Sequence, residues 1–170
     1  MVLEILDSKF EDNTHMQYLS RQHIIPKIVH STSGKVVMRH IKGRRLCKIL
    51  SDKKTDETVL KKIFSELGTM VAEVDKCHMR HGDLHTGNVI VEHSTNKPYI
   101  IDWEFATYSE FSQVDAMDLL SNAEYDLNSC ARQELYKELE TIYKKSYMDS
   151  IRAGASEEVL KLREIAGKKF

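Results

Sequence analysis

Three polar side chains in the middle of the chain have the types and the spacing that phosphate chemistry requires. Asp83 lies in a polar turn, Asn88 follows five residues later, and Asp102 ends an apolar stretch. One Asp can orient the hydroxyl or water that attacks a phosphate, while an amide and a second carboxylate hold Mg²⁺. Mg²⁺ takes only one or two protein oxygens, so Asn88 and Asp102 are sufficient ligands. The pattern predicts phosphoryl transfer from magnesium ATP, with Asp83 as the catalytic base.

A long amphipathic helix must deliver the chain to this turn. Apolar residues recur at three- and four-residue spacing over 59–74, which predicts a helix with one buried face. Thr55 is the expected N-cap, and Asp56 and Glu57 follow in the first turn, where the helix dipole favours acids. Gly68 costs about 1 kcal/mol against Ala inside a helix, so we expect close packing at this position.

The remaining patterns predict a few strands followed mostly by helices. Alternating apolar residues over 89–92 and 98–101 predict a hairpin directly after Asn88, and a second hairpin is expected over 29–41. A first strand is expected over 2–6. Helices are expected at four further places, over 13–23, 114–125, 128–152 and 156–167. This order predicts an α+β fold.

The composition is that of an ordinary globular protein, with 41% hydrophobic residues, 30% charged residues and a net charge of −1. A charge this small gives no general attraction to polyanions. Cys47, Cys77 and Cys130 are scattered along the chain, which predicts reduced thiols in an intracellular protein. The chain has neither a signal-peptide pattern nor the ~20 apolar residues of a membrane span. We therefore expect a soluble protein of the cytoplasm and nucleus, without membrane contact.

The central motifs resemble the catalytic loop and the metal-binding motif of the protein-kinase-like fold. They are His81-Gly82-Asp83-x-x-x-x-Asn88 and, after the hairpin, Ile101-Asp102-Trp103-Glu104. The resemblance implies a single two-lobed α+β domain that uses ATP and Mg²⁺. Its reduced N-terminal lobe, with the lobe-linking strand, would cover 1–41, and its small helical C-terminal lobe 42–170.

The resemblance also assigns roles to residues beside the three central ones. His81 is expected to support the loop, whereas His85 stays open between loop support and a contact with phosphate or metal. Trp103 stands where the family has Phe and is expected to pack behind Asp102. Gly82 replaces an Arg that could hold a phosphorylated activation segment, so we expect activity that is not switched by that route.

Further site residues are implied at the junction of the lobes and on a later helix. Met38, Arg39 and Ile41 fall in the lobe-linking segment, where the Arg39 carbonyl and the Ile41 amide would face the edge of adenine. Asp118, in Asp115-Ala116-Met117-Asp118, resembles the helix Asp that accepts hydrogen bonds from the catalytic-loop backbone in kinases.

The front of the chain departs from the family pattern. No Gly-x-Gly-x-x-Gly sequence occurs, and Glu4 stands where the first strand should carry a phosphate-binding Lys. Lys9, with Glu11 as its ion-pair partner, is the alternative. We expect either a late chain start or a shortened lobe. Because the Lys and the Gly-rich loop neutralise and position the phosphates, we also expect weak catalysis by the isolated chain.

Several short motifs, taken in their order, resemble the small atypical kinase/ATPase subunit of the KEOPS (EKC) complex. They are Ile25-Pro26-Lys27-Ile28, Met38-Arg39-His40-Ile41-Lys42-Gly43, Leu67-Gly68, His81-Gly82-Asp83-Leu84 and Asp115-x-x-Asp118-Leu119. The resemblance implies support of threonylcarbamoylation of adenosine 37 in tRNAs that decode codons starting with A. A transferase subunit and a small accessory subunit would be the partners, and serine/threonine kinase activity is a further implication.

Positive charge on the chain predicts a contact with tRNA. Residues 35–54 contain eight Lys or Arg and one acid, Asp52, and a second basic element covers 161–169 at the C-terminal end. Lys and Arg clustered on one face attract the phosphate backbone of nucleic acids.

Two other interpretations stay open. The motifs around Asp83 and Asp102 are also similar to small-molecule phosphotransferases of the aminoglycoside or choline kinase type. Those enzymes build their substrate site from a larger helical lobe than the chain after Glu104 provides. The third interpretation is a catalytically weak scaffold that keeps the fold for partner binding.

Overall fold

The computed structural model describes residues 13–32, 35–110 and 113–168 with their side chains, and residues 3–7 as backbone. Its strands are β1 Leu3–Asp7, β2 Ile28–Thr32, β3 Lys35–Arg39, β4 Gly43–Arg45, β5 Met79–Arg80, β6 Val89–Glu92, β7 Pro98–Ile100 and β8 Thr107–Tyr108. Its helices are α1 Thr14–Arg21, α2 Leu46–Leu50, α3 Glu57–Lys76, α4 Val114–Ser129, α5 Gln133–Arg152 and α6 Glu157–Gly167. The α+β fold class expected from the sequence is confirmed.

The N-terminal part is a small antiparallel sheet with one helix. Its strand order is β1-β3-β2, so the predicted hairpin β2–β3 is confirmed and β1 pairs with the far side of β3. Helix α1 connects β1 to β2. Lys9 and Glu11, the alternative phosphate-binding pair, lie outside the described residues, and Glu4 is described only as backbone.

Helix α3 is the long helix predicted from the periodicity, and its buried face matches the prediction closely. Leu60, Phe64 and Leu67 have no exposed surface. The N-cap is Asp56 rather than the expected Thr55: its carboxylate accepts the N–H of Thr58 at 2.7 Å. The Thr55 hydroxyl instead donates to the carbonyl of Ile49 at 3.0 Å, which ties the helix start to α2.

Helices α3 and α5 pack closely where Gly68 lies. A Cβ at Gly68 would stand 2.4 Å from the carbonyl oxygen of Tyr143 and 3.1 Å from the nitrogen of Tyr147. The close packing predicted for this glycine is therefore confirmed. One turn beyond it along α5, the Tyr147 hydroxyl donates to the buried carboxylate of Asp75 at 2.6 Å. Burial raises the pKa of Asp75 to about 6, although the Tyr147 hydrogen bond acts in the opposite direction.

The C-terminal helices return the chain to the N-terminal part. Helices α4 and α5 are separated by a turn in which Ala131 has a φ of 57°, so α4 runs four residues beyond the predicted end and α5 begins later. Helix α6 starts at the expected place, with Ser156 as its cap. Helix α6 contacts α1: Nε2 of the buried His15, on α1, lies 3.1 Å from the carbonyl oxygen of Leu162, on α6. Apolar residues of both parts thus share one core.

A second sheet, with the order β4-β6-β7, supports the central motifs. Strand β4 is not predicted by the sequence pattern, because its three residues, Gly-Arg-Arg, have no apolar alternation. Cys47, Cys77 and Cys130 are free thiols, as expected. None of the helices in the described residues combines the length and the apolar content that crossing a bilayer requires.

Candidate functional site

The His81 imidazole links the two predicted motifs from a buried position. Its Nδ1 accepts the N–H of Asp83 at 3.3 Å, so the neutral ring carries its hydrogen on Nε2. The Nε2–H donates to the carbonyl of Ile101 at 2.9 Å, directly before Asp102. The ring centre lies 4.7 Å from that of Trp103, which is buried. His81 therefore joins the catalytic loop to the metal-binding motif.

The environment of His81 favours its neutral form. Burial lowers the pKa of His81, and it outweighs the Ile101 hydrogen bond and the Asp115, Asp102 and Asp83 carboxylates, which act in the opposite direction. A neutral ring whose two nitrogens are both occupied suits the loop-support role predicted for His81.

Asn88 holds the main chain of Asp83. Its Nδ2 donates to the Asp83 carbonyl at 3.0 Å and lies 3.4 Å from Oδ2 of the Asp83 carboxylate. Asn88 is only 2% exposed, whereas the Asp83 side chain is 50% exposed. Within the described part of the chain, no donor binds the Asn88 Oδ1. The oxygen that a metal would need is thus uncommitted.

Asp102 lies next to Asn88 and has an unusual backbone conformation. The N–H of Ile101 donates to the Asn88 carbonyl at 2.9 Å. Asp102 has a φ of 65°, in the left-handed region that costs an Asp energy and is common at functional sites. Its half-buried carboxylate has no hydrogen-bond or ion-pair partner among the described residues.

The donor set of Asn88 and Asp102 fits Mg²⁺. Both residues offer an oxygen that no other described group occupies, and Mg²⁺ needs few protein ligands when phosphate and water supply the others. No group of three or more His, Cys, Asp or Glu in the described residues could hold a metal ion. A site closed entirely by protein, of the structural zinc type, is therefore not found in this part of the chain. The roles of Asp83, Asn88 and Asp102 stay predictions.

The helix residue that holds the catalytic loop is Asp115, and the prediction of Asp118 was wrong. The Asp115 carboxylate accepts the N–H of His81 at 2.5 Å and the N–H of Gly82 at 3.1 Å. Asp115 is only 1% exposed. The Asp118 side chain is 49% exposed and lies 4.0 Å from Arg80. The two acids are one turn apart, and only the one in the first turn of α4 lies beneath the loop.

Gly82 is required by the geometry of the segment after Asp102. It has a φ of 84°, and a Cβ at Gly82 would stand 2.4 Å from the carbonyl oxygen of Phe105. Strands β5 and β8 pair next to this contact. A side chain cannot fit at position 82 while the backbone after Asp102 keeps this path. This crowding is a steric reason for the absence of an Arg at this position.

Of the residues predicted to face adenine, Met38 and Arg39 end β3, and Ile41 lies between β3 and β4. Met38 and Ile41 are buried, and Arg39 is exposed and paired with Glu92 at 3.0 Å. The N–H of Arg39 donates to the Lys27 carbonyl at 2.9 Å, whereas the Ile41 amide has no acceptor within the described part of the chain. An uncommitted amide at this position suits the expected contact, and the nucleotide role of these residues stays a prediction.

Two contacts that hold the end of the loop are missing from the sequence prediction. Arg45, on β4, donates to the Gly87 carbonyl at 2.6 Å. The Thr86 hydroxyl donates to the Asp126 carboxylate on α4 at 2.5 Å. Neither contact has a local signal, because each partner lies about 40 residues away along the chain. The sequence pattern indicates Arg45 only as part of the basic stretch.

Comparison with known proteins identifies the family. Residues 10–122 match the family model described as "RIO domain", which covers more than half of the chain. The match includes Asp83, Asn88 and Asp102 as well as Asp115. It confirms the kinase-like fold that the central motifs predicted.

Two archaeal proteins are similar to about half of the chain. A "Probable bifunctional tRNA threonylcarbamoyladenosine biosynthesis protein" of Methanosphaera stadtmanae is 32% identical over 85 residues, which are 50% of this chain and 15% of the relative. The "KEOPS complex subunit Bud32" of Pyrococcus abyssi is 30% identical over 84 residues, which are 49% of this chain and 36% of the relative. The resemblance to the KEOPS kinase subunit is confirmed, while the matches cover only a minor part of each relative's length.

Proposed function

The chain belongs to the RIO-domain family, and on this premise we propose that it binds magnesium ATP as the atypical kinase or ATPase subunit of a KEOPS-type complex. In that complex it would support threonylcarbamoylation of adenosine 37 in tRNAs that decode codons starting with A. The names of the two similar archaeal proteins support this role. Serine/threonine kinase activity, and a location in cytoplasm and nucleus, belong to the same proposal.

The observation that carries the proposal is the pair of contacts that His81 makes, to the N–H of Asp83 and to the Ile101 carbonyl directly before Asp102, with Asn88 bonded to both motifs. Asp83 is exposed enough to meet an acceptor, and it orients the attacking water or hydroxyl. Asn88 Oδ1 and the Asp102 carboxylate would hold Mg²⁺. When bound, Mg²⁺ screens the phosphate charges and supports their geometry. Asp115 and His81 hold the loop so that these groups keep their positions during turnover.

The proposal is tested by single-turnover hydrolysis of γ-labelled ATP at saturating Mg²⁺. Asp102→Ala should abolish measurable turnover, and Asp83→Asn should slow it by about 10²–10⁴-fold. Glu104→Ala is the matched control, because Glu104 is exposed and lies two residues from Asp102. Circular dichroism must show that each variant stays folded. Turnover by Asp102→Ala equal to that of wild type would remove the metal assignment.

The same assay separates the two other interpretations. A small-molecule phosphotransferase would turn over ATP faster when an amino alcohol or an aminoglycoside is added, without any protein partner. A scaffold would bind partner subunits and show no ATP turnover, alone or in the complex. Stimulation of turnover by a KEOPS-type transferase subunit is the result that the proposal predicts.

The tRNA contact belongs to the proposal as well. All eight Lys and Arg residues of 35–54 are exposed, and of these Arg39 pairs with Glu92 and Arg44 with Asp52. The double substitution Lys42→Glu with Lys48→Glu should weaken tRNA binding and reduce its salt dependence. The control is Lys144→Glu with Lys145→Glu, which makes the same charge change on exposed positions of α5. Equal weakening of tRNA binding by both double substitutions would show that net charge, and not the position of the Lys residues, determines the affinity.

A further inference from the structure

The His85 ring lies across the turn that follows Asp83. Its Nδ1 accepts the N–H of Gly87 at 3.0 Å, so His85 caps the single 3₁₀ turn Thr86–Asn88. This position of the ring requires glycine at 87, because a Cβ there would stand 2.7 Å from Cε1 and 2.8 Å from Nδ1 of His85. The ring and the glycine therefore fit each other as a pair.

The cap determines which nitrogen of His85 carries the hydrogen. Because a backbone N–H already points at Nδ1, the neutral ring has its hydrogen on Nε2. This Nε2 lies 3.6 Å from Oδ2 of Asp83, slightly beyond hydrogen-bond distance. The Asn88 Nδ2 lies 3.4 Å from the same oxygen. Two donors thus approach Oδ2 of Asp83 and leave Oδ1 for another group.

The two turn residues next to His85, Thr86 and Gly87, are themselves held by more distant parts of the chain. Arg45 donates to the Gly87 carbonyl at 2.6 Å from β4, and Thr86 donates to Asp126 on α4 at 2.5 Å. The Asp83 side chain is 50% exposed and the His85 side chain 37%, so packing alone does not hold the carboxylate. A directional contact is therefore the available means of orienting it.

We propose that His85 is a positioning residue for Asp83, an inference that rests on the catalytic role proposed above for Asp83. The neutral His85 ring directs its Nε2–H at Oδ2 and, with Asn88, turns Oδ1 towards the acceptor water or hydroxyl. His85 does not touch the nucleotide in this role. The two ring nitrogens have different roles: Nδ1 stabilises the turn, and Nε2 orients the Asp83 carboxylate.

Two substitutions separate these functions. The carboxamide oxygen of Asn can take the place of Nδ1 and cap the Gly87 N–H, but Asn does not reach Asp83. The longer side chain of Gln can direct its NH₂ group at Asp83 but gives up the cap. His85→Asn should keep the wild-type melting temperature and lower kcat about tenfold, with an unchanged KM for magnesium ATP, since the lost contact is the approach of one N–H dipole to a carboxylate. His85→Gln should lower the melting temperature and keep kcat within about threefold of wild type.

The outcomes are distinguishable. A His85→Asn variant with wild-type kcat, or a His85→Gln variant that loses as much kcat as His85→Asn, would overturn the positioning role and leave the proposed function standing. Wild-type protein without any ATP turnover would overturn both. ¹⁵N NMR of the ring supplies a readout besides activity: the neutral His85 should carry its hydrogen on Nε2, and the opposite tautomer would overturn the role.

Discussion

The Asp115 carboxylate accepts the backbone N–H of His81 at 2.5 Å, across a sequence separation of 34 residues. The same carboxylate accepts the N–H of Gly82, so both of its oxygens are used for the loop. A buried carboxylate that accepts two backbone donors is a strong restraint, because hydrogen bonds to charged groups exceed those between neutral groups. The catalytic loop is therefore held by α4 in addition to the contacts within its own turn.

Asp115→Asn should destabilise the protein by about 2 kcal/mol, because the carboxamide can accept only one of the two N–H groups and turns its own NH₂ towards the other. Urea unfolding measures the change. Asp118→Asn is the matched control, and the change there should stay within about 0.5 kcal/mol since the side chain is 49% exposed. Equal effects of the two substitutions would contradict the assignment of Asp115.

Gly82→Ala should destabilise the protein by more than about 3 kcal/mol, roughly the sum of a left-handed Ala and a steric clash. The clash arises because the new Cβ would stand 2.4 Å from the carbonyl oxygen of Phe105. Gly154→Ala measures the cost of a left-handed Ala alone. Gly154 has a φ of 80°, and a Cβ added there would meet no atom within 4 Å. Thermal unfolding of both variants measures the stability that each one loses, and similar losses of stability would argue against a clash with Phe105.

Asp75→Asn should stabilise the protein at pH 7.5 and lose that advantage at low pH. Burial raises the pKa of Asp75 from 3.8 to about 6, so the folded protein holds this proton more tightly than the unfolded chain does. The stabilisation from that proton is complete below pH 3.8 and disappears as the pH rises through about 6. At roughly 1.4 kcal/mol per pKa unit, wild type loses up to about 3 kcal/mol over this range.

The Asn side chain cannot ionise and still offers an oxygen to the Tyr147 hydroxyl, so the variant should lack this loss. Urea unfolding from about pH 4 to pH 7.5 measures both curves. The prediction fails if the two proteins show parallel pH dependence, since the titration of Asp75 would then contribute nothing. Tyr147→Phe is a useful companion, because it removes the hydrogen bond that lowers the Asp75 pKa and should strengthen the pH dependence.

Gly68→Ala should destabilise the protein by about 1–3 kcal/mol, although the same substitution stabilises an exposed helix by about 1 kcal/mol. The sign reverses because α5 leaves no room: the new Cβ would stand 2.4 Å from the Tyr143 carbonyl oxygen. Gly167→Ala, at the end of α6 with nothing within 4 Å, is the control and should have an effect close to zero or favourable. Differential scanning calorimetry of both variants decides the point, and a stabilised Gly68→Ala would contradict the close packing.

The sequence by itself predicted the long helices and both hairpins, and it singled out the polar residues of the central loop. The three- and four-residue periodicity over 59–74 is a local property, and it predicts the buried face of α3 without any knowledge of packing. The His-Gly-Asp motif, Asn88 and Asp102 are identified in the same way, since their types and spacing alone point to magnesium and phosphate. The family match agrees with that interpretation.

Only the tertiary structure decided which side chains hold the loop. Asp115 and Asp118 stand three residues apart on one helix, and local pattern gives no reason to prefer one of them. The choice depends on how α4 approaches the loop, which brings Asp115 under His81 and leaves Asp118 at the surface. The contact of Arg45 with Gly87, 42 residues away, depends in the same way on the pairing of β4 with β6. Such contacts join distant parts of the chain, so packing rather than local sequence decides them.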